Sequence, residues 1–279
     1  MSRSTEKFPA KHHSKKSLGQ NFLVDNSVIA HIIDAVHPRA DEIIIEIGPG
    51  RGALTERLVE KAGHLIAIEF DRDLISRLGA RFSSHKNFRL VEGDALATDF
   101  CGFLEPNQQV RVVANLPYNV ATAILQRLIE QRSCISEMVL MLQREVVERI
   151  TAIPGSSERG FLSVLVEAYC EAENLFDVSP GAFRPVPKVW SSVVRLSLRQ
   201  NVSERLKNPE LLWAIVGVGF AHRRKTILNN LRQAPEKLGE LLKRHGGAGI
   251  ILCEAGVAPQ RRAETLTLEE WSSIASVLE

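Results

Sequence analysis

Ile43-Ile44-Ile45-Glu46-Ile47-Gly48-Pro49-Gly50-Arg51-Gly52 runs a β-branched stretch straight into three closely spaced glycines. Four isoleucines in five residues read as a strand covered on both faces, the pattern of a parallel sheet. Apolar residues at helical spacing over 53–62 follow at once, so the glycines occupy a strand-to-helix turn. In a doubly wound α/β sheet, such a turn lines a crevice at the carboxyl ends of the strands, where glycine lets the backbone approach a ligand. Outward from it, residues 65–68, 88–91, 110–113 and 138–142 are further strand-like runs, and 73–82 and 121–131 have helical spacing between them. Upstream, Val28, Ile29, Ile32, Ile33 and Val36 share one helical face, with Asp25 or Asn26 as the cap. The expected fold class is α/β, a doubly wound Rossmann-like sheet.

After residue 180 the grammar changes. Pro180, Gly181, Pro185 and Pro187 form a stiff connector, and Ser192 to Leu198 reads as one more strand. Beyond it the patterns are helical, over 210–220, 224–232, 235–245 and from about 268. The expected organisation is a flexible basic arm over 1–20, the sheet domain over 21–203 and a small all-helical domain over 204–279, with the boundary near 200–208.

The 279 residues are 44% hydrophobic and 24% charged, which excludes a disordered chain, and no apolar run approaches the roughly 20 residues of a membrane span. The formal charge of +2 conceals an uneven distribution. Residues 1–20 hold five basic and one acidic residue, residues 181–245 hold 13 and four, and the remainder is acidic by 11. Two basic segments on an acidic body suit a protein that binds a polyanion. Cys101, Cys134, Cys170 and Cys253 make no CxxC pair, which argues against a zinc site or a disulfide framework and fits a reducing compartment. The eight histidines lack ligand spacing, so no metal is expected. The N-terminus has no apolar segment after its basic residues, so the expected location is the cytoplasm.

The glycine turn has acidic partners. Glu69 ends the second strand, where a carboxylate would accept the ribose hydroxyls of an adenine nucleoside, and Asp94 follows the third, placed for the adenine amino group. The spacing is GxGxG rather than GxGxxG. S-adenosylmethionine, a nicotinamide or flavin dinucleotide, and a merely structural turn all remain compatible with these residues.

Asn115-Leu116-Pro117-Tyr118, directly after the fourth strand, shifts the balance toward S-adenosylmethionine. An exocyclic adenine amine is a poor nucleophile because its lone pair is delocalised into the ring. Two acceptors, the Asn115 side-chain oxygen and the Leu116 carbonyl, can take both amino hydrogens and localise that pair on nitrogen. Pro117 stiffens the turn, and Tyr118 offers a ring on which a base can stack.

Three motifs in order carry a resemblance: Lys16-Ser17-Leu18-Gly19-Gln20-Asn21-Phe22-Leu23, the tetrapeptide, and Phe183-Arg184-Pro185-Val186-Pro187-Lys188-Val189-Trp190-Ser191. The tetrapeptide is similar to the N/D-P-P-Y/F signature of amino-methyltransferases, with Leu116 in place of the first proline. From about residue 15 to the C-terminus the chain resembles the ribosomal RNA adenine dimethyltransferase family, most closely its bacterial small-subunit branch. The resemblance implies transfer of four methyl groups from S-adenosylmethionine to N6 of two adjacent adenosines in a hairpin loop near the 3′ end of 16S ribosomal RNA. It implies that residues 20–23 close over the cofactor, with Asn21 and Leu23 touching it. Gly48 would contact the methionine part, Glu69 the ribose and Asp94 the adenine, with Asn115 at the junction of cofactor and target.

It further implies that Phe183, framed by prolines, faces Tyr118 across a flipped-out adenine. Arg223, Arg224 and Lys225 are expected to open a helix and contact phosphates, and Lys7, Lys11, Lys15 and Lys16 with His12 and His13 to form an arm that orders on RNA. The expected partner is 16S ribosomal RNA within the immature small subunit, met by a monomer with no membrane association. Two alternatives stand beside this: a 23S ribosomal RNA dimethyltransferase of the macrolide-resistance type, and an assembly factor that acts mainly by binding.

Overall fold

The computed structural model describes residues 20–199, 202, 206 and 208–279. The basic arm, apart from Gln20, and most of the expected boundary at 200–208 therefore lie outside the described residues. In chain order the first half contains β1 (Phe22–Leu23), α1 (Asn26–Val36), β2 (Ile43–Ile47), α2 (Thr55–Val59), β3 (His64–Glu69), α3 (Arg72–Phe82), β4 (Phe88–Glu92), β5 (Val110–Asn115), α4 (Ala121–Glu130) and β6 (Ile135–Gln143). Next come α5 (Arg144–Ile150), α6 (Phe161–Tyr169), β7 (Cys170–Val178), β8 (Phe183–Arg184) and β9 (Ser191–Leu198). The helices α7 (Pro209–Gly219), α8 (Ile227–Leu231), α9 (Glu236–Arg244), α10 (Ala248–Glu254) and α11 (Leu268–Ser276) complete the described chain.

Seven strands form one sheet in the order β4-β3-β2-β5-β6-β9-β7. β2, β3, β4, β5 and β6 pair in parallel, and β9 joins β6 antiparallel. From β2 the chain winds outward through β3 and β4, then returns to β2's other side as β5. The carboxyl ends of β2 and β5 therefore flank the switch point at which doubly wound sheets bind ligands. The isoleucine run behaves as a strand covered on both faces: Ile44, Ile45 and Ile47 are buried, and so is Glu46. α1 is capped by Asp25, whose carboxylate accepts from the N–H groups of Ser27 and Val28.

The described chain divides into two compact units: residues up to Val147 with Glu173–Leu198, and Glu148–Ala172 with Arg199–Glu279. Residues 148–172, including α6, which the expected division of 21–203 and 204–279 assigns to the sheet domain, group instead with the C-terminal helices. In that helical unit Trp271 is fully buried, and α7 approaches it so closely that a Cβ on Gly219 would lie 2.3 Å from the indole. Trp213 donates its ring N–H to the Tyr169 hydroxyl at 3.2 Å.

Three expectations are corrected. Cys101 and Cys134 are joined by a disulfide, whereas Cys170 and Cys253 are free. Spacing along the chain hides this pair because Cys101 belongs to the β4–β5 connection and Cys134 precedes β6. Adjacency of β5 and β6 brings the two together, and the Val110 N–H donates to the Cys134 carbonyl at 2.8 Å. Arg223, Arg224 and Lys225 do not open a helix. They lie in the turn before α8, whose cap is Thr226. Phe183 is no loop aromatic: it pairs with Leu23 in a two-stranded ribbon of β1 and β8, and its ring is wholly buried in the core.

Candidate active site

The glycine turn has backbone angles that ordinary side chains resist. Gly48 and Gly50 have φ of +66° and +58°. At Gly50 an added Cβ would come within 3.1 Å of the Phe22 ring, so glycine lets the β1 segment close down on the turn. At Gly48 an added Cβ would meet nothing within 4 Å, because it would project into open space.

That space belongs to a cavity of about 250 Å³ at the carboxyl ends of the strands. Asn21, Leu23, Gly48, Glu69, Asp94, Asn115, Leu116 and Tyr118 all line it, so eight of the nine expected cofactor and catalytic positions converge from five separate stretches of chain. Phe183, the ninth, does not line it. Ile47, Leu54, Ile68, Phe70, Leu96 and Ile124 supply apolar walls.

Each polar group is held by its surroundings. Glu69 accepts the Gly50 N–H on Oε2 at 3.1 Å, and the Phe70 and Asp71 N–H groups on Oε1 at 2.9 Å each. Oε2 keeps a lone pair for a hydroxyl donor. Burial pushes the Glu69 carboxyl above its usual range, against the lowering effect of those three donors. Asp94 takes the Leu96 N–H on Oδ1 at 2.9 Å, which fixes its plane. Asn115 donates from Nδ2 to the Asn21 carbonyl at 3.1 Å, so its Oδ1 is left as an acceptor on the cavity side. Tyr118 is half-buried, its hydroxyl 2.8 Å from that of Ser191, and burial raises its pKa.

Glu46 also lines the cavity, and its part in the site was not foreseen from the sequence. It is 2% exposed, its Oε2 accepts the Thr55 hydroxyl at 2.7 Å, and burial pushes its pKa up to about 8. The available signal was a single carboxylate in an otherwise aliphatic strand. Three carboxyl groups, Glu46, Glu69 and Asp94, therefore converge on one small cavity. Such a donor set suits a ligand with positive charge and hydroxyls and is a poor cradle for a pyrophosphate. S-adenosylmethionine, with its ammonium, sulfonium, ribose and adenine, fits this set better than a dinucleotide.

The segment entering the cavity is tied at several points. Gln20 donates to Asp71 at 3.0 Å, the Val24 N–H donates to the Ala182 carbonyl at 2.9 Å, and β1 pairs with β8. In the helical unit the expected phosphate-binding cations have internal partners. Arg223 donates to the Ser157 carbonyl and, at 3.2 Å, to that of Arg159, while Lys225 donates to Gln233 at 2.9 Å. Arg224 is exposed. Among the described residues there is no cluster able to hold a metal ion and no helix long and apolar enough to cross a membrane.

Comparison with known proteins agrees with this geometry. The family model described as ribosomal RNA adenine dimethylase matches residues 11–274. The chain is 40% identical over 268 residues to the ribosomal RNA small subunit methyltransferase A of Hahella chejuensis, covering 95% of this chain and 92% of that protein. Its fold is shared with a crystal structure of a dimethyladenosine transferase from Plasmodium falciparum, at a TM-score of 0.76 and 24% identity, covering 91% of this chain and 95% of that one. The 23S rRNA methyltransferase ErmE superposes at a TM-score of 0.67 with 25% identity, covering 92% of this chain and 99% of that one. By sequence match over nearly its whole length, and by a cavity that gathers the expected residues, this chain belongs to the ribosomal RNA adenine dimethylase family.

Proposed function

We propose that this enzyme dimethylates N6 of two adjacent adenosines in the hairpin loop near the 3′ end of 16S ribosomal RNA, acting as a monomer on the immature small subunit in the cytoplasm. The observation that carries this reading is the placement of Asn115, its amide oriented by the Asn21 carbonyl, in the same cavity as Gly48, Glu69 and Asp94. When bound, S-adenosylmethionine supplies a methyl group on a sulfonium, and the C–S electrons return to sulfur as the methyl–N6 bond forms.

The chain's own residues prepare the nucleophile. The Asn115 oxygen and the Leu116 carbonyl accept the two N6 hydrogens and draw the lone pair out of conjugation with the ring. Leu116 can serve in this way because its side chain is buried and its N–H is tied to the Met141 carbonyl at 3.1 Å. Tyr118 stacks on the adenine, held in place by Ser191. Glu69 binds the ribose hydroxyls, Asp94 the adenine amino group of the cofactor, and the bare backbone of Gly48 admits the methionine part. As the methyl bond forms, N6 gives up one of its two protons to solvent and carries one hydrogen in place of two, so the second transfer needs only one of the two acceptors.

Small-subunit RNA is favoured over large-subunit RNA by the 40% identity to a small-subunit methyltransferase, against 25% to a 23S enzyme. The test is incubation of the protein with labelled S-adenosylmethionine and unmethylated ribosomal subunits, followed by mapping of modified bases in both RNAs. Label in two neighbouring N6-dimethyladenosines of 16S RNA is the expected result. Label confined to 23S RNA, or absent from adenine N6, would overturn the assignment.

A further inference from the structure

Eight large hydrophobic side chains are exposed among the described residues, and three of them, Val186, Val189 and Trp190, fall within five consecutive positions. Trp190 is 48% exposed. A half-exposed indole beside two exposed valines is an apolar patch of the kind that marks a contact surface. Nothing in the reaction derived above uses it.

The backbone that carries this ring is fixed on both sides. Pro185 and Pro187 restrict the approach to it. The Trp190 carbonyl accepts the Arg144 N–H at 3.0 Å, and the next residue, Ser191, enters β9 opposite Gln143 of β6. Arg144, beside Trp190, lies three residues beyond Met141, the β6 residue in register with Asn115, so Trp190 sits at the carboxyl edge of the sheet, about 10 Å further along β6 than the Asn115 strand end. Ser191 is also the partner of the Tyr118 hydroxyl at 2.8 Å. Trp190 is therefore covalently adjacent to the residue that holds the ring on which the target adenine stacks. Arg184 and Lys188, both exposed, add two cations to the same loop, and the stretch 184–190 contains no acid.

We propose that Trp190 is a stacking platform for an RNA base that flanks the target adenosine, holding the single-stranded loop while its neighbour enters the cavity. Unpaired bases splayed from RNA loops are bound by stacking on aromatic faces, and cations beside the ring meet the backbone phosphates. A ring on a stiff, proline-framed loop loses little freedom when a base settles on it, which favours this position for docking. The inference rests on the functional reading above, that the substrate is a ribosomal RNA loop.

The test compares wild type with Trp190→Ala, Trp190→Leu and Trp190→Phe on unmethylated small subunits, with S-adenosylmethionine affinity measured separately. Loss of one stacked base corresponds to roughly a 5- to 150-fold change. Trp190→Ala and Trp190→Leu are expected to raise KM for the subunit by about tenfold, with kcat and cofactor affinity within about twofold of wild type, and Trp190→Phe is expected to restore most of the loss. Tryptophan emission should be quenched by added oligoadenylate in wild type and much less in Trp190→Phe. An unchanged KM in Trp190→Ala, full function in Trp190→Leu, a loss of cofactor affinity, or a subunit defect without oligoadenylate quenching would each overturn the proposal, the last by pointing to a protein contact. Wild-type turnover separates the two claims: no N6 methylation by wild type sinks the functional reading, whereas normal wild-type turnover with an unaffected Trp190→Ala sinks the stacking role alone.

Discussion

The Asn115 side chain donates to the backbone carbonyl of Asn21 at 3.1 Å, across 94 positions of sequence. An asparagine amide can present either its oxygen or its nitrogen to a ligand, and only the oxygen can accept a hydrogen from an adenine amine. The carbonyl of Asn21 makes that choice by occupying the nitrogen. The residue expected to touch the cofactor therefore also sets the polarity of the residue proposed to activate the target.

If Tyr118 stacks on the target base as proposed, the hydroxyl pair it forms with Ser191 should contribute measurably to positioning that base. Tyr118→Phe and Ser191→Ala should each weaken kcat/KM for the RNA substrate by roughly 2- to 10-fold, the worth of one hydrogen bond of about 0.5–1.5 kcal/mol. Because both remove the same bond, the double variant should lose little more than either single one. Additive losses in such a cycle would show that the two hydroxyls act separately.

Glu46 gives stability a distinct pH dependence. Its pKa is about 8 in the folded protein against an ordinary 4.5, so the folded state holds the proton more tightly than the unfolded chain. That contribution is complete below about pH 4.5 and is lost as pH rises through 8, a change on the order of a few kcal/mol. Glu46→Gln cannot ionise, so its unfolding free energy should fall less steeply than wild type's between these limits. Urea unfolding at a series of pH values checks this, and parallel profiles for the two proteins would refute it.

Gly48→Ala separates folding from cofactor binding. A left-handed alanine costs roughly 1–2 kcal/mol, and the new methyl meets no protein atom within 4 Å. The variant should fold with a modest loss of stability. Its affinity for S-adenosylmethionine, measured by calorimetry, should fall by more than tenfold, because the methyl enters the space the methionine part would occupy. Undiminished affinity would remove Gly48 from the binding site.

Neighbouring cations in the turn before α8 should behave differently. Arg223 is committed to the Ser157 and Arg159 carbonyls, the first exposed and the second part-buried, so Arg223→Ala should lower stability by about 0.5–1.5 kcal/mol through the lost hydrogen bonds. Arg224→Ala should leave stability within about 0.5 kcal/mol and reduce the salt dependence of RNA binding by about one released counterion. Equal effects on stability would contradict the assignment.

The parallel strands were legible because burial on both faces demands unbroken aliphatic runs, as in 43–47, and the helices flanking them because one face must be apolar. β7 was not, since its residues 171–174 are Glu-Ala-Glu-Asn and mostly exposed, so no period-two pattern survives. The convergence of Gly48, Glu69, Asp94 and Asn115 on one cavity was legible because each stands at a strand end, where fold topology assigns a place. Phe183 was misjudged for the opposite reason. Its prolines suggested a loop, but pairing of β8 with β1 turns the ring into the core. Cys101 and Cys134 come together only through β5–β6 adjacency, which no local spacing encodes.

The most direct measurement is the single-turnover rate of methyl transfer to unmethylated small subunits by Asn115→Ala, at saturating S-adenosylmethionine and with cofactor affinity measured alongside. Removing a preorganised acceptor at the reacting atom should slow the transfer by about 10²- to 10³-fold, while the protein stays folded and its cofactor affinity changes little by comparison. An undiminished rate in a folded, cofactor-competent variant would contradict the role of Asn115 and the mechanism built on it.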